Sequence, residues 1–306
     1  MECSICGRDA VYEQKYSGSS LCSAHFSESV EKRVKKELRR QISFPDRKGS
    51  IAVAISGGKD SSLTLHMIHR FYSKWKGIRI SAFTVDEGIM GYRESGLQSA
   101  RKLCESLGIP HSTVSFIDAF RTTMDREVAE HPSEIPCSRC GPMRRNLINW
   151  SSVSVDADYV ALGINLDDYA QSVLMNVVKG DAGRMGRMAP HSDAREGMVR
   201  RVLPLRMIPE KEVLLYCILH GIEHDQSWCP YSERAQRNYF RNLVNDLEEH
   251  FPGSRFAMVN FLDHVKPYLE KSSASEILGE CRHCGRPTSG DVCSVCRMMG
   301  PRLNTR

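Results

Sequence analysis

The chain has 306 residues, of which 41% are hydrophobic and 26% charged, with a formal net charge of +5. That length buries one full core and carries small appendages. No apolar run approaches the roughly 20 residues of a membrane span, and the start MECSICGRDA has no apolar stretch of signal-peptide type. A cytoplasmic protein with no membrane role is expected, and the mild positive charge permits an anionic partner without requiring one.

In chain order, the first pattern is C-x2-C-x15-C-x2-H over residues 1–25: Cys3, Cys6, Cys22 and His25. Four soft ligands in two knuckle-like pairs close a tetrahedral Zn²⁺ with no open position, the mark of a structural site. So short a segment holds no core of its own, and metal binding, of order 10–16 kcal/mol in comparable modules, must supply much of its folding free energy. Buried free cysteines are the competing reading.

Residues 28–42 (ESVEKRVKKELRRQI) read as a helix, with Val30, Val34, Leu38 and Ile42 forming a narrow apolar stripe. Lys32, Arg33, Lys35, Lys36, Arg39 and Arg40 fill much of the remainder. Such a face either tracks a phosphate backbone or is simply solvated.

From residue 50 the pattern alternates. Strands are expected at Ser50–Ile55, Arg79–Asp86, His111–Ser115 and Tyr159–Gly163. Helices are expected at Ser62–Trp75, at Ser95–Leu107 with Gly108 as its stop, and from about Asp167 to Lys179. The fold class is therefore α/β: a doubly wound, mostly parallel sheet covered on both faces, with ligands at the carboxyl ends of its strands. Gly180–Arg201, carrying Arg184, Arg187, Arg195, Arg200 and Arg201, reads as a long functional loop.

Between the first of these strands and its helix lies SGGKDSS, residues 56–62. Glycines allow close backbone approach to a phosphate, and the following helix N-terminus offers unpaired N–H groups. Ser56, Ser61 and Ser62 add hydroxyls and Lys59 a charge. The loop is not of the G-x4-G-K-[ST] type, so γ-phosphate transfer is not implied. Ser56-Gly57-Gly58-Lys59-Asp60-Ser61 resembles the PP-loop of ATP pyrophosphatases, in which the loop grips pyrophosphate while the α-phosphate is attacked.

Three cysteines stand apart: Cys137 and Cys140 in EIPCSRCGPMRRN, and Cys229 in SWCPYSERA. Pro136 and Pro230 suit first helical positions, and placement near helix N-termini is expected to lower thiolate pKa. Three thiolates are one short of a closed site, which fits a metal or cluster with an open position; a redox pair or persulfide carrier, with Cys229 incidental, and plainly structural cysteines are the alternatives. Cys104 and Cys217 fall on apolar helical faces and read as core. A C-terminal ribbon, Cys281, Cys284, Cys293 and Cys296, offers a second structural Zn²⁺ site.

The expected organisation is thus an N-terminal zinc finger (1–27), a basic linking helix (28–48), a PP-loop catalytic domain (49–240), a helical extension (241–275) and a zinc ribbon (276–306). Across nearly this whole length the chain resembles the tRNA 2-thiouridine synthetases of the TtuA and NcsA group. The resemblance runs through the first zinc set, SGGKDSS, GYRESGL (91–97), PCSRCGPMRR (136–145), GINLDDYAQ (163–171), LMNVVKGD (174–181), CPYSERA (229–235) and the last ribbon.

The resemblance implies a tRNA uridine 2-sulfurtransferase that adenylates uridine O2 with ATP and Mg²⁺, then delivers sulfur to C2 at U34 or U54. It implies a [4Fe–4S] cluster on Cys137, Cys140 and Cys229, two Zn²⁺, tRNA as partner, and sulfur from a ubiquitin-like carrier protein or free sulfide. A homodimer is what the group implies. For ATP it implies Ser56, Gly57, Gly58, Lys59, Asp60, Ser61, Ser62, Val85 and Gly163; for catalysis Asp168, Arg144 and Lys59. Arg144 stands where relatives often carry lysine, and guanidinium stays charged, which fits phosphate clamping and not proton transfer. Ile164 stands where many relatives carry histidine. Two other readings fit part of the pattern: a PP-loop amide-forming ligase, which has no need of Cys137, Cys140 and Cys229, and a non-catalytic RNA-binding zinc protein, which leaves SGGKDSS without a role.

Overall fold

The computed structural model describes residues 1–191, 195–273 and 278–300. The expected boundary at 275/276, residues 192–194 of the arginine-rich connection and the tail 301–306 lie outside the described residues.

The chain opens with a hairpin, β1 (Tyr12–Gln14) and β2 (Ser19–Leu21), followed by α1 (Ser23–Gln41). Then come β3 (Gly49–Ala54), α2 (Lys59–Tyr72), β4 (Ile78–Asp86), α3 (Arg93–Leu107), β5 (His111–Ser115), α4 (Phe116–Phe120), α5 (Met124–Glu130) and α6 (Pro136–Ser154). They lead into β6 (Tyr159–Leu162), α7 (Leu166–Val178), α8 (Ala182–Gly186), β7 (Arg200–Val202), α9 (Glu210–Leu219), α10 (Arg237–His250) and α11 (Ser254–Ser273). A second hairpin, β8 (Gly279–Glu280) and β9 (Pro287–Thr288), and α12 (Ser294–Met299) complete it.

β3 to β7 form one parallel sheet in the order β5-β4-β3-β6-β7. Alternate residues of β3 serve opposite cores. Ile51 and Val53 join α1, α2 and α9 on one face, whereas Ala52 joins Phe83, Phe116, Phe120, Met143 and Leu147 on the other. The doubly wound expectation therefore holds. Order reverses between β3 and β6, so the loops after these two strands splay apart there and open a crevice.

Helix ends follow local chemistry. Gly108 caps α3 at φ 64°, a conformation glycine adopts without a Cβ penalty. Thr123 and Asn165 cap α5 and α7 with side-chain oxygens.

Several expectations change. The region 180–201 is not one loop: it holds α8, and Arg200 and Arg201 lie in the edge strand β7. Arg200 there stacks over the Tyr159 ring at 4.4 Å. Pro230 does not open a helix; a single 3-10 turn at Ser232–Arg234 follows it, and α10 begins at Arg237. α10 runs continuously through residue 240, and α11 packs along α7 and α8, so these helices cover the β6 side of the body. On α1, the basic face is divided. Arg33 pairs with buried Glu212 and Arg40 with Asp263, leaving Lys32, Lys35, Lys36 and Arg39 exposed. Among the described residues no helix is long and apolar enough to cross a membrane.

Candidate active site at the sheet switch point

The loop after β3 is built on three close backbone approaches. Gly57 has φ 88°, and a Cβ there would lie 2.7 Å from Gly96 Cα and nearer still to its carbonyl oxygen. A Cβ on Gly96, inside α3, would lie 2.7 Å from Ser56 O, and one on Gly163 would lie 2.6 Å from Ser61 N. Hydroxyls fix the rest of the turn. Ser56 N donates to Ser61 Oγ at 3.0 Å, and Ser61 Oγ to Gly58 O at 2.9 Å. Ser62 Oγ reaches Gly57 O at 3.3 Å. Gly58 precedes α2 with extended backbone and no side-chain cap, leaving the first N–H groups of the helix for a ligand.

Lys59 Nζ donates to Asp60 Oδ2 and to Glu210 Oε1, each at 2.9 Å. Burial works against its charge, but the two carboxylates outweigh it and hold the ammonium above its ordinary range. Asp60 is pushed up by burial against the opposing pull of Lys59 and Asn165. Asn165 Nδ2 donates to Asp60 Oδ1 at 2.7 Å, and its Oδ1 caps α7 by accepting from Asp168 N at 2.9 Å. One asparagine thus ties the β3 loop to the β6 loop.

The adjacent aspartates of GINLDD have different surroundings. Asp167 is buried, accepts from Glu210 N at 2.7 Å and pairs with Arg255 at 3.1 Å. Asp168 faces the crevice from the first turn of α7 and accepts from Arg237 at 3.2 Å. Val85 is buried at the carboxyl end of β4, with its carbonyl accepting from Arg93 at 3.0 Å. Next along the chain, buried Glu87 pairs with Arg93 at 2.9 Å and with Arg144 at 3.5 Å. The Cys140 sulfur, when ionised, and then Glu87 raise the half-exposed Arg144 guanidinium further above its ordinary value.

Cys137 and Cys140 lie three residues apart in the first turns of α6, behind Pro136 at the helix start, and so share a face. Cys229 approaches from the segment before α10, and Cys140 and Cys229 pack against the same apolar cluster. Burial pushes the Cys140 thiol up to about 11, with Arg144 opposing, and also raises Cys229. The expected helix-terminus lowering is therefore overturned at both sulfurs: at Cys140 desolvation exceeds the pull of the α6 start, and at Cys229 no helix begins to provide one. Neutral thiols of this kind ionise when a metal displaces their protons. The three sulfurs are not a group lying wholly within 4.8 Å, whereas both terminal sets are.

The terminal sets fit single metal ions. Cys6 and Cys22 sulfurs are 3.8 Å apart, as are those of Cys284 and Cys293; the edge of a tetrahedron with Zn–S arms is about 3.8 Å. Cys3 and Cys22 sulfurs lie 3.3 and 3.5 Å from His25 Nδ1. Cys281 and Cys296 complete the second set. The first set is fastened to the body through Gln14 and Tyr16, which donate to Glu212 at 3.2 and 2.6 Å. The second sits on α6, where Arg286 bonds Asn146 and covers Trp150. Cys104 and Cys217 are core, as expected, both fully buried.

Comparison with known proteins follows this geometry. A PP-loop domain model matches residues 26–248, and one described as the N-terminal LIM domain of 2-thiouridine synthetase TtuA matches residues 2–27. The chain belongs to the TtuA/NcsA family of PP-loop tRNA thiolation proteins. It is 36% identical to the tRNA 2-thiolation protein NcsA of Haloferax volcanii, over 98% of each chain. It is 30% identical to the tRNA-5-methyluridine(54) 2-sulfurtransferase of Pyrococcus horikoshii, over 98% of this chain and 94% of the other. Among solved structures, the U34-tRNA thiolase NcsA of Methanococcus maripaludis with its [4Fe-4S] cluster superposes with TM-score 0.82 at 34% identity, covering 100% of this chain and 97% of that one.

Sequence reasoning missed Glu87, Gly96, Asn165, Glu210 and Arg237. Two carried a signal: Gly96, a glycine inside a helical pattern where a close approach is the usual reason, and Asn165, a cap residue just before an expected helix.

Proposed function

We propose that this chain is an ATP-dependent tRNA uridine 2-sulfurtransferase. What supports the reading is a link between two elements: the glycine-cradled loop after β3, whose Gly57 O accepts from Asp225 N, and the segment that runs on to Cys229, which packs with Cys140 against one apolar cluster. An amide-forming ligase needs the first and has no use for the second; a non-catalytic RNA-binding protein needs neither.

The loop Ser56–Ser62 takes the pyrophosphate of ATP, with Mg²⁺ offsetting its charge. The N–H groups at the start of α2 and the Ser56 and Ser61 hydroxyls donate to it, and Lys59 exchanges its two carboxylates for phosphate oxygens. Gly163 lets the β6 loop close against this loop. Uridine O2 attacks the α-phosphorus and pyrophosphate leaves, so the oxygen becomes part of a good leaving group, AMP. Preorganised donors around the phosphates provide most of the stabilisation in such a step. Arg144 holds anionic charge at the crevice wall, and Asp168, oriented by Arg237, faces the reacting base.

Cys137, Cys140 and Cys229 would hold a [4Fe–4S] cluster, which would bind and deliver the sulfur that replaces O2. The two terminal sets each hold a structural Zn²⁺ and brace the body through α9 and α6. Sulfur comes from free sulfide or a carrier protein, and the base is presented unstacked, as in a tRNA loop. Similarity along the whole chain to a U34-tRNA thiolase favours position 34.

The test is incubation of unmodified tRNA with anaerobically purified protein, ATP, Mg²⁺ and sulfide, followed by nucleoside mass spectrometry and mapping. The expected result is 2-thiouridine at position 34, with AMP and pyrophosphate released. Pyrophosphate release without thiolation would favour the ligase reading, and thiolation at position 54 would reassign the target.

A further inference from the structure

Beside the crevice, a large aromatic side chain is left in solvent. Trp228 is 70% exposed, so most of its indole is open to a partner. Its backbone is nevertheless pinned on both sides. Upstream, Asp225 N donates to Gly57 O at 2.8 Å. Ser227 Oγ bonds Asp225 Oδ1 at 2.8 Å and Ser95 Oγ at 3.1 Å. Downstream, Ser232 N donates to Cys229 O at 2.9 Å, and Tyr231 Oη to Asp125 Oδ1 at 2.6 Å. The indole is thus presented by a segment bound directly to the nucleotide loop and adjoining Cys229.

The guanidinium of Arg241 lies 5.5 Å from the indole centroid. Its Nε is buried and makes no hydrogen bond among the described residues. One helical turn earlier on α10, Arg237 donates to Asp168 at 3.2 Å and to Ser172 at 3.2 Å. Residues at this spacing lie on the same helix face. Trp228 therefore borders the crevice among fixed cations, with one face backed by Arg241.

We propose that Trp228, backed by Arg241, is the stacking platform for an unpaired base of the tRNA loop presented to this crevice. The inference rests on the function proposed above. A uridine can offer O2 and C2 to the site only after leaving its stacked neighbours. A rigid indole beside the site replaces that stacking, since every base has a π-face, and the cations of α10 complement the adjoining phosphates. A protein partner would also cover an indole, but the setting between a nucleotide loop, Cys229 and two arginines favours a base.

The experiment compares wild type, Trp228→Ala and Trp228→Phe, all anaerobically purified with metal content verified. Binding of fluorescently labelled unmodified tRNA is measured by anisotropy, and thiolation is followed at varied tRNA. Trp228→Ala should weaken tRNA binding and raise KM for tRNA by about 5- to 150-fold, with ATP affinity unchanged. Trp228→Phe should restore most of the affinity. Should Trp228→Ala lose its iron, Arg241→Gln replaces it, and about a threefold or greater loss of tRNA affinity is then expected. Wild-type affinity in Trp228→Ala, or a phenylalanine variant as weak as alanine, overturns the proposal. So does a defect seen only with a protein sulfur donor at unchanged tRNA affinity, which marks a protein contact instead. Wild type that binds no tRNA refutes the proposed function itself, and the two failures are thereby distinguished.

Discussion

Gly57 and Gly96 touch through their backbones: neither position has room for a methyl group, because each would strike the other's segment. This contact between the β3 loop and α3 holds the nucleotide loop in its open-armed shape. Alanine in a helix interior ordinarily stabilises by about 0.5–1 kcal/mol relative to glycine. Gly96→Ala should do the opposite where it matters. Its Cβ must displace Ser56 O, so ATP affinity should fall more than about tenfold while helical circular dichroism is kept. Titration of ATP by calorimetry checks this, and unchanged affinity would contradict the close-approach account.

Arg206 is fully buried and pairs with Glu37 at 2.5 Å and with both Asp263 oxygens at 2.7 and 2.8 Å. It joins α1, α11 and the segment before α9. Removing one member of a buried ionic group leaves uncompensated charge and costs about 3–5 kcal/mol. Arg206→Met should show that loss in urea unfolding of the metal-loaded protein.

The core thiols give a pH signature. Burial raises Cys104 to about 11 and Cys217 to about 12, so the folded state holds these protons more tightly than the unfolded chain. Their contribution to folding is fully present below the ordinary thiol pKa of about 8.5 and is lost as pH rises from there through about 11 to 12. Iodoacetamide at pH 8 should therefore leave both unlabelled in the native protein and label both in denaturant, read by peptide mass spectrometry. Rapid native labelling would mean that these helical faces open.

Metal content separates the sulfur sets. Anaerobic wild-type protein should carry about two zinc and about four iron with matching acid-labile sulfide. Cys137→Ala should lose the iron and keep the zinc. Zinc without iron, even after reconstitution, would move the three central cysteines to persulfide chemistry.

Much of the fold was legible because periodicity and punctuation agree. β5 matches its expected bounds, and Gly108 ends α3 as read. The terminal metal sets are legible because knuckle spacing alone brings their ligands together. What stayed hidden depends on tertiary partners. Glu210 and Arg237 become site residues only because α9 and α10 fold back onto α2 and α7. Arg33 and Arg40 resemble solvated or RNA-facing cations until Glu212 and Asp263 appear beside them. The thiol shifts at Cys140 and Cys229 run against the local pattern because burial is set by tertiary packing, and because no helix starts at Pro230.

The most direct test of the central claim measures three quantities on the same preparations of wild type, Lys59→Ala and Cys229→Ser: pyrophosphate released, iron bound and 2-thiouridine formed in tRNA. Lys59→Ala should keep its iron and lose both pyrophosphate release and thiolation. Cys229→Ser should keep ATP binding and lose iron and thiolation together. Normal thiolation by Cys229→Ser would contradict the account.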